Sequence, residues 1–173
     1  NGNKPKTYKP ETAEWVVRCC EKARALDDTR LIEDNSVCNR DHTVTDVNTW
    51  HFYSNGYERV KGVVDGFCNG AYVGSQENYK EGYTMADVPC MNSECGNVWG
   101  IKGNAGESDI SWQYKYMMNE FRLHDKLCGF VFTEFHDVIN EFNGYYKIDN
   151  GDKDFGYDLY GMTLKDLHSQ DYL

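Results

Sequence analysis

Glu94 is the residue whose type and position point most directly to chemistry. It stands near the end of the segment VPCMNSECG, which runs from Val88 to Gly96. The flanking Pro89 and Gly96 bound an apolar run that is too short for a helix, so the pattern predicts a buried strand. A carboxylate at the tip of a core strand is costly to bury unless the strand end opens into a site that uses it. We therefore interpret Glu94 as a candidate functional acid.

Three further segments share this layout, apolar at the start and polar or aromatic at the C-terminal end: LIEDN (31–35), DVNTWHFY (46–53) and LCGFVFTEF (127–135). We expect four strands to be parallel neighbours in chain order, at Leu31–Asp34, Asp46–Tyr53, Val88–Glu94 and Leu127–Glu134. Helical patterns separate most of them. A strand–helix repeat with polar strand ends is how a parallel barrel assembles an active site. The predicted fold class is therefore α/β, with part of a barrel.

The connecting helices are predicted from apolar residues at helical spacing. The first begins near Pro10, and the second covers NGYERVKGVVDGF. The third covers DISWQYKYMMNEFRLHDK, in which Asn119-Glu120 is interpreted as solvated surface. The residues expected to face inward, helix by helix, are Trp15, Val16, Cys19, Ala23 and Leu26; Tyr57, Val60, Val64 and Phe67; and Ile110, Tyr114, Met117, Met118 and Phe121.

The length of 173 residues suits one core and is too short for two ordinary domains. We expect a single domain over 1–173, with a polar loop at 1–10 and an irregular extension at 136–173. The net charge of -10 argues against a nucleic-acid partner, which needs a basic surface. The 13 tyrosines and 4 tryptophans are amphipathic rings of the kind that line carbohydrate sites, although many also serve packing.

The chain carries seven cysteines, an odd number without a CxxC pair. Its histidines are scattered without ligand spacing, so the sequence indicates no metal site. Free thiols favour a reducing compartment such as the cytoplasm. The sequence has neither the apolar run of about 18 residues needed for a membrane span nor, in NGNKPKTYKPET, the apolar middle of a secretory signal.

Four strings resemble the second half of the catalytic barrel of glycoside hydrolase family 2, the β-galactosidase and β-glucuronidase family: ALDDTRLIEDNS, TDVNTWHFY, PCMNSECG and LCGFVFTEFHDVINEFNGYY. The resemblance extends from about Glu11 to about Asp158 and implies strands five to eight of a (β/α)8 TIM barrel. In that family one strand ends in S/T-E-[FY]-G. The match here is the tetrapeptide at 93–96, in which Cys95 replaces the usual aromatic residue, and Asn97 replaces a frequent second glycine.

The resemblance implies a retaining β-glycosidase that acts on a carbohydrate and needs no cofactor. Glu94 would be the nucleophile and Tyr53 the phenol that orients it. Residues implied to bind substrate are His51, Phe132 as a stacking platform, Glu134, Asn35 and Trp99. Other interpretations remain for several of them: Tyr53 as a strand-end boundary residue, Phe132 as core, and Asn35 as a loop or cap residue.

The family's acid/base is the Glu of an N-E pair on barrel strand four, which would lie before residue 1. The resemblance thus implies a fragment that carries the nucleophile and lacks the acid/base. A half barrel leaves sheet edges exposed, so we expect it to pair with its missing half, self-associate, or belong to a longer chain. The alternative is a non-catalytic carbohydrate-binding or scaffold protein derived from such a barrel. An unrelated α/β enzyme using its cysteines lacks a Cys–His constellation at matching strand ends.

Overall fold

Three helices alternate with three strands in the computed structural model, which describes residues 8–36, 40–54, 56–96, 110–139 and 143–152. The helices are α1 (Pro10–Leu26), α2 (Tyr57–Gly70) and α3 (Ile110–Arg122), and the strands are β1 (Asn48–Tyr53), β2 (Cys90–Gly96) and β3 (Leu127–Phe132). The strands form one parallel sheet in the order β1-β2-β3. α2 and α3 are the crossovers between successive strands. The fold is α/β and is consistent with part of a barrel.

The prediction of a strand at Leu31–Asp34, the first of the four in chain order, is wrong, because this segment is not in a strand. Side chains take the place that a neighbouring strand would have. The Ile32 amide donates to Asp46 Oδ2 at 3.0 Å, and the Asp34 amide donates to Thr45 Oγ1 at 3.4 Å. The nearby Asp and Thr side chains thus compete with strand pairing for these backbone groups.

The core lies between the sheet and the helices α2 and α3. Trp50 stacks on Phe52 and Phe67, with ring centroids 4.8 and 4.6 Å apart. Five of the predicted inward residues are buried here: Val60, Val64, Phe67, Met117 and Phe121. The hydrophobic periodicity of α2 and α3 therefore identified most of the faces that cover the sheet. Tyr57, predicted to face inward, is 46% exposed, and the side chain of Ile110 lies outside the described part of the chain.

The inward face of α1 differs from the prediction. Trp15 is 59% exposed and Leu26 is 80% exposed, whereas the buried residues are Ala13, Val16 and Cys20. The helix has two apolar stripes, and the stripe of smaller side chains is the one that packs. Periodicity finds both stripes but does not say which of them meets the rest of the fold.

The C-terminal part, as far as it is described, is irregular. Isolated bridges join His136 to Tyr146 and Tyr146 to Asp152, and residues 153–173 lie outside the described part of the chain. Within the described ranges, no helix is long and apolar enough to cross a membrane. The cysteines of the same ranges are free thiols.

Candidate active site at the strand ends

A β-bulge decides the direction of the Glu94 side chain. Trp50 pairs with Asn92, but the next residue, His51, pairs with Glu94, so Ser93 is an extra residue in β2. Asn92 is fully buried, and strict alternation would put Glu94 on the same face as Asn92. The extra residue reverses that outcome, since a bulge re-aims the side chains that follow it. Glu94 is thereby placed beside His51 and on the face that Tyr53 shares.

Two side chains of β1 contact the Glu94 carboxylate. The Tyr53 hydroxyl donates a hydrogen bond to Oε1, and Nδ1 of His51 lies 3.4 Å from Oε2. The Glu94 side chain is 33% exposed, whereas that of His51 is 8% exposed. The expected contact between Tyr53 and Glu94 is confirmed. A phenol that donates to a carboxylate oxygen fixes the orientation of the carboxylate, so the arrangement suits a nucleophile that is reachable from solvent.

The electrostatic environment of His51 favours its neutral form. Burial lowers the pKa of the imidazole, and although the charges of Glu94 and Glu33 raise it in part, the net shift is downward from 6.5. The Nε2 atom is 2.9 Å from the hydroxyl of Ser36. Near neutral pH, His51 can therefore offer a hydrogen bond without adding a full positive charge beside the carboxylate.

Gly96 leaves the room in which the Tyr53 ring sits. A Cβ added at Gly96 would lie 2.8 Å from Tyr53 Cε1 and 2.9 Å from Asn143 Cγ. Asn143 is fully buried, so its side chain cannot move into solvent to make room for an added Cβ. The glycine of the S-E-x-G pattern is thus explained by close packing against the ring that holds Glu94.

The residue after Glu94 faces the opposite side of the sheet. Cys95 is fully buried, belongs to the apolar core, and has its Sγ 3.5 Å from the carbonyl oxygen of Val131. Burial raises the pKa of its thiol. A buried thiol of this kind is inert as a nucleophile, so Cys95 acts as a small apolar residue behind the site.

The expectation that Phe132 faces the same concavity as His51 is wrong. It pairs with Cys95, and its ring lies against Tyr114 of α3 at 5.4 Å and Tyr145 at 5.1 Å. Phe132 therefore lies on the helix-facing side of the sheet, opposite Glu94. The Ser93 bulge is the reason: Phe132 stays on the face of Phe130, whereas the extra residue in β2 turns Glu94 to the opposite face. A period-2 interpretation of the sequence misses such a bulge. This packing favours the core interpretation of Phe132.

Two of the remaining predicted site residues, Glu134 and Asn35, lie in loops. Glu134 follows β3, and its backbone pairs with the segment 143–145. Asn35 donates its side-chain amide to Asp34 Oδ1 and to the Asp41 carbonyl, both at 3.2 Å, which is the loop bonding left open from the sequence. Trp99 lies outside the described residues. The substrate-binding roles of these residues stay predictions.

A buried polar network anchors the loop beside β1. The Asp34 carboxylate is 2.6 Å from His42 Nδ1, and it accepts from the Thr43 hydroxyl and from the Thr43 and Val44 amides. Burial raises the pKa of Asp34, but these hydrogen bonds outweigh it and the net shift is downward. His42 Nε2 accepts from the amide of Thr49. Because the side chains of His42 and Asp34 are fully buried, the network is structural and holds the start of β1 in place.

Sequence reasoning missed two residues that border the site, Glu33 and Ser36. Glu33 accepts a hydrogen bond of 2.5 Å from Thr49 Oγ1 and acts on the pKa of His51. Both follow the apolar pair Leu31-Ile32, so the rule that singled out Glu94, an acid closing an apolar run, would have found Glu33.

A cavity of about 450 Å³ adjoins His51 and is lined by further residues that include Arg40, Trp50 and Glu77; Glu94 is not part of its lining.

Solved structures of β-glucuronidases resemble this fold. The β-D-glucuronidase of Dictyoglomus thermophilum matches with a TM-score of 0.54 at 17% identity, over 86% of this chain and 28% of that chain. The β-glucuronidase of an uncultured Clostridium sp. matches with 0.54 at 14%, over 85% and 28%. That of Faecalibacterium prausnitzii matches with 0.52 at 16%, over 86% and 27%.

At these identities the likeness shows the fold alone. This chain spans about 28% of the length of the glucuronidases. No protein-family model matches the sequence, and no curated protein matches it.

Proposed function

We propose that this chain is part of a retaining β-glycoside hydrolase of the family 2 type, with Glu94 as the nucleophile. The observation that carries the proposal is the pair of contacts on its carboxylate, from the Tyr53 phenol and from His51. They lie at the C-terminal ends of parallel strands, where barrel enzymes place their catalytic groups. The three similar structures named above are β-glucuronidases, which supports a carbohydrate substrate.

The proposed chemistry assigns each group one task. An oxygen of the Glu94 carboxylate attacks the anomeric carbon, and the glycosidic oxygen leaves with the bonding electrons, which gives a covalent glycosyl-enzyme. Tyr53 donates a hydrogen bond that holds the attacking carboxylate in a fixed orientation. His51, neutral and largely buried, is a hydrogen-bond partner for a sugar hydroxyl or for the carboxylate itself. The leaving group needs a proton from a second acid about 5 Å away, and we assign no described residue to that task.

Labelling with 2,4-dinitrophenyl 2-deoxy-2-fluoro-β-glycosides tests the nucleophile apart from the acid. Dinitrophenolate leaves without protonation, so the first step depends on the nucleophile alone, and the fluorine slows the second step so that the adduct persists. We expect one equivalent of sugar on the chain, located at Glu94 by peptide mass spectrometry. The gluco, galacto and glucurono reagents should be compared, because the described residues do not select among them.

Matched variants make the test specific. Glu94→Gln should abolish the label because an amide does not attack, and Tyr53→Phe should slow labelling by about tenfold to a hundredfold, which corresponds to a charged hydrogen bond of about 1.5–3 kcal/mol. Glu33→Gln removes a different carboxylate near the site and is the control, and this variant should still be labelled at Glu94. Labelling of another residue, or none with any reagent, would refute Glu94 as nucleophile. Sugar binding without a label would favour the alternative of a non-catalytic carbohydrate-binding protein.

A further inference from the structure

Three metal-ligating side chains converge on the far side of the core from Glu94. Asp65 lies on α2, Glu120 lies on α3, and His124 lies in the turn that follows α3. One ligand atom of each falls within 4.8 Å of the others. Glu120 and His124 are four residues apart, a spacing that brings two side chains to one face of a helical turn. Asp65 approaches from α2, the helix that packs against α3.

Glu120 is the unusual member of the cluster. The sequence interpretation placed it on solvated surface, but its side chain is 2% exposed, because α3 turns this position toward α2. The Tyr57 side chain is hydrogen-bonded to this carboxylate, but the Oε2 atom is buried and has no hydrogen-bond partner. The nearest cation, the Lys61 ammonium, is 4.0 Å away from Oε2, beyond hydrogen-bond reach. A buried carboxylate oxygen left in this state is destabilising unless a charge meets it.

The other two donors face the same space. His124 Nε2 is shielded from solvent and lies 3.1 Å from Asp65 Oδ1. Asp65 is about a third exposed, and its second oxygen is paired at 2.7 Å with Lys61, whose own side chain is 42% exposed. Asp65 and Lys61 can therefore move without disturbing the core. An ion held at about 2.1 Å by each donor needs only a small closure of the cluster.

We propose that Asp65, Glu120 and His124 form a divalent-metal site that joins α2 to α3, with zinc as the preferred ion. One imidazole and two carboxylates are the mixed nitrogen and oxygen set that zinc accepts, and three protein ligands leave one position for water. The ion would neutralise the buried oxygen of Glu120 and take over the position that Lys61 partly fills. It would lock together the two helices that lie behind β1 and β2. This inference does not depend on the proposed glycosidase activity.

Titration calorimetry with zinc chloride tests the site on the reduced, chelator-treated chain. We expect one equivalent to bind. His124→Ala and Asp65→Asn should each weaken it by at least about tenfold, since even second-sphere changes cost that much. Lys61→Met should tighten binding, by about tenfold, because it removes a competing cation. His136→Ala, a histidine outside the cluster, should leave the affinity unchanged.

Cobalt spectroscopy separates this site from the cysteines. Cobalt bound by imidazole and carboxylates shows weak visible bands, whereas thiolate ligation adds an intense near-ultraviolet charge-transfer band. Asp65→Asn changes a partly exposed side chain, and circular dichroism should show that it folds like the parent. A thiolate band, an unchanged affinity in folded Asp65→Asn, or no saturable zinc binding by the parent chain would each overturn the proposal.

Discussion

Gly96→Ala tests whether the glycine of the S-E-x-G pattern keeps space for Tyr53. The added Cβ would lie 2.8 Å from Tyr53 Cε1, against about 3.4 Å for an ordinary contact, so the ring must move by about 0.6 Å. Asn143, at 2.9 Å on the other side, blocks relief in that direction. The tyrosine hydroxyl is held by Glu94, and moving the ring therefore misplaces the hydrogen bond that orients the carboxylate.

The expected magnitude follows from two opposing effects. Overpacking a well-packed site costs about 1–3 kcal/mol. Alanine also restricts the unfolded chain, which stabilises the folded state by about 0.4–1 kcal/mol where the backbone conformation suits alanine. Gly96 meets this condition because it does not have a positive φ. With the middle of each range, the net loss in the free energy of unfolding is about 1.3 kcal/mol. With an m-value of about 2 kcal/mol per molar, the urea midpoint falls by about 0.7 M.

Urea denaturation and the rate of Glu94 labelling should be measured together. Gly66→Ala is the matched control: Gly66 lies within α2 with nothing within 4 Å of an added Cβ, so alanine there should stabilise by up to about 1 kcal/mol. Gly96→Ala should slow labelling as well as lower the midpoint. If Gly96→Ala unfolds at the parent midpoint and is labelled at the parent rate, the explanation by close packing is wrong.

Three further predictions concern the loop network, the pH response and the thiols. Asp34→Asn should lower stability by about 1.5–3 kcal/mol, because the neutral amide weakens the charged hydrogen bonds that the carboxylate accepts from His42 and Thr43. Urea denaturation measures this loss, and exposed Asp28→Asn should be neutral. Because the folded chain holds the pKa of His51 below 6.5, the free energy of unfolding should fall as pH drops from about 6.5 through the lowered pKa. His51→Gln should reduce this dependence of stability on pH. An equal dependence in the variant would contradict the prediction. Iodoacetamide at about pH 8 should modify the exposed thiols and spare the buried thiols, because burial raises the pKa of the latter. Mass spectrometry should find the label on the exposed Cys19 and Cys128. It should find none on Cys68, Cys90 or Cys95.

Local patterns predicted the elements that the structure contains. α1 starts at Pro10 and ends at Leu26 as expected, because Pro at the first turn and a run of good helix formers act within the segment itself. The strands ending at Tyr53 and Gly96 were visible as short apolar runs bounded by turn residues. Their parallel order follows from the helical crossovers between them. Neighbouring parallel strands that end at the same edge bring Tyr53 and Glu94 close, but their contact also needs the extra residue Ser93, which turns Glu94 to the face of Tyr53 and which no periodic pattern reveals.

The errors arise where a distant side chain decides the outcome. The segment 31–34 looks like a strand, but Asp46 and Thr45 bind its amides, and no local pattern reveals those partners. Glu120 looks solvated on its own helix and is buried by α2. Phe132 and Glu94 lie on opposite faces because the extra residue Ser93 interrupts strict alternation in β2. Periodicity describes one element at a time, whereas these outcomes are set between elements.

The departure of this chain from the family pattern at Cys95 is explained by the same bulge that aims Glu94. With Ser93 as the extra residue, Glu94 faces His51, and the next side chain must face α3 and the core. Replacing an aromatic residue by cysteine at that position changes packing behind the sheet and leaves the groups around the carboxylate in place. The bulge, the small Gly96 and the Tyr53 ring position the acid, and none of them depends on the side chain at residue 95. In the proposed glycosidase, the third position of the pattern would therefore matter less to the nucleophile than its glutamate and its glycine.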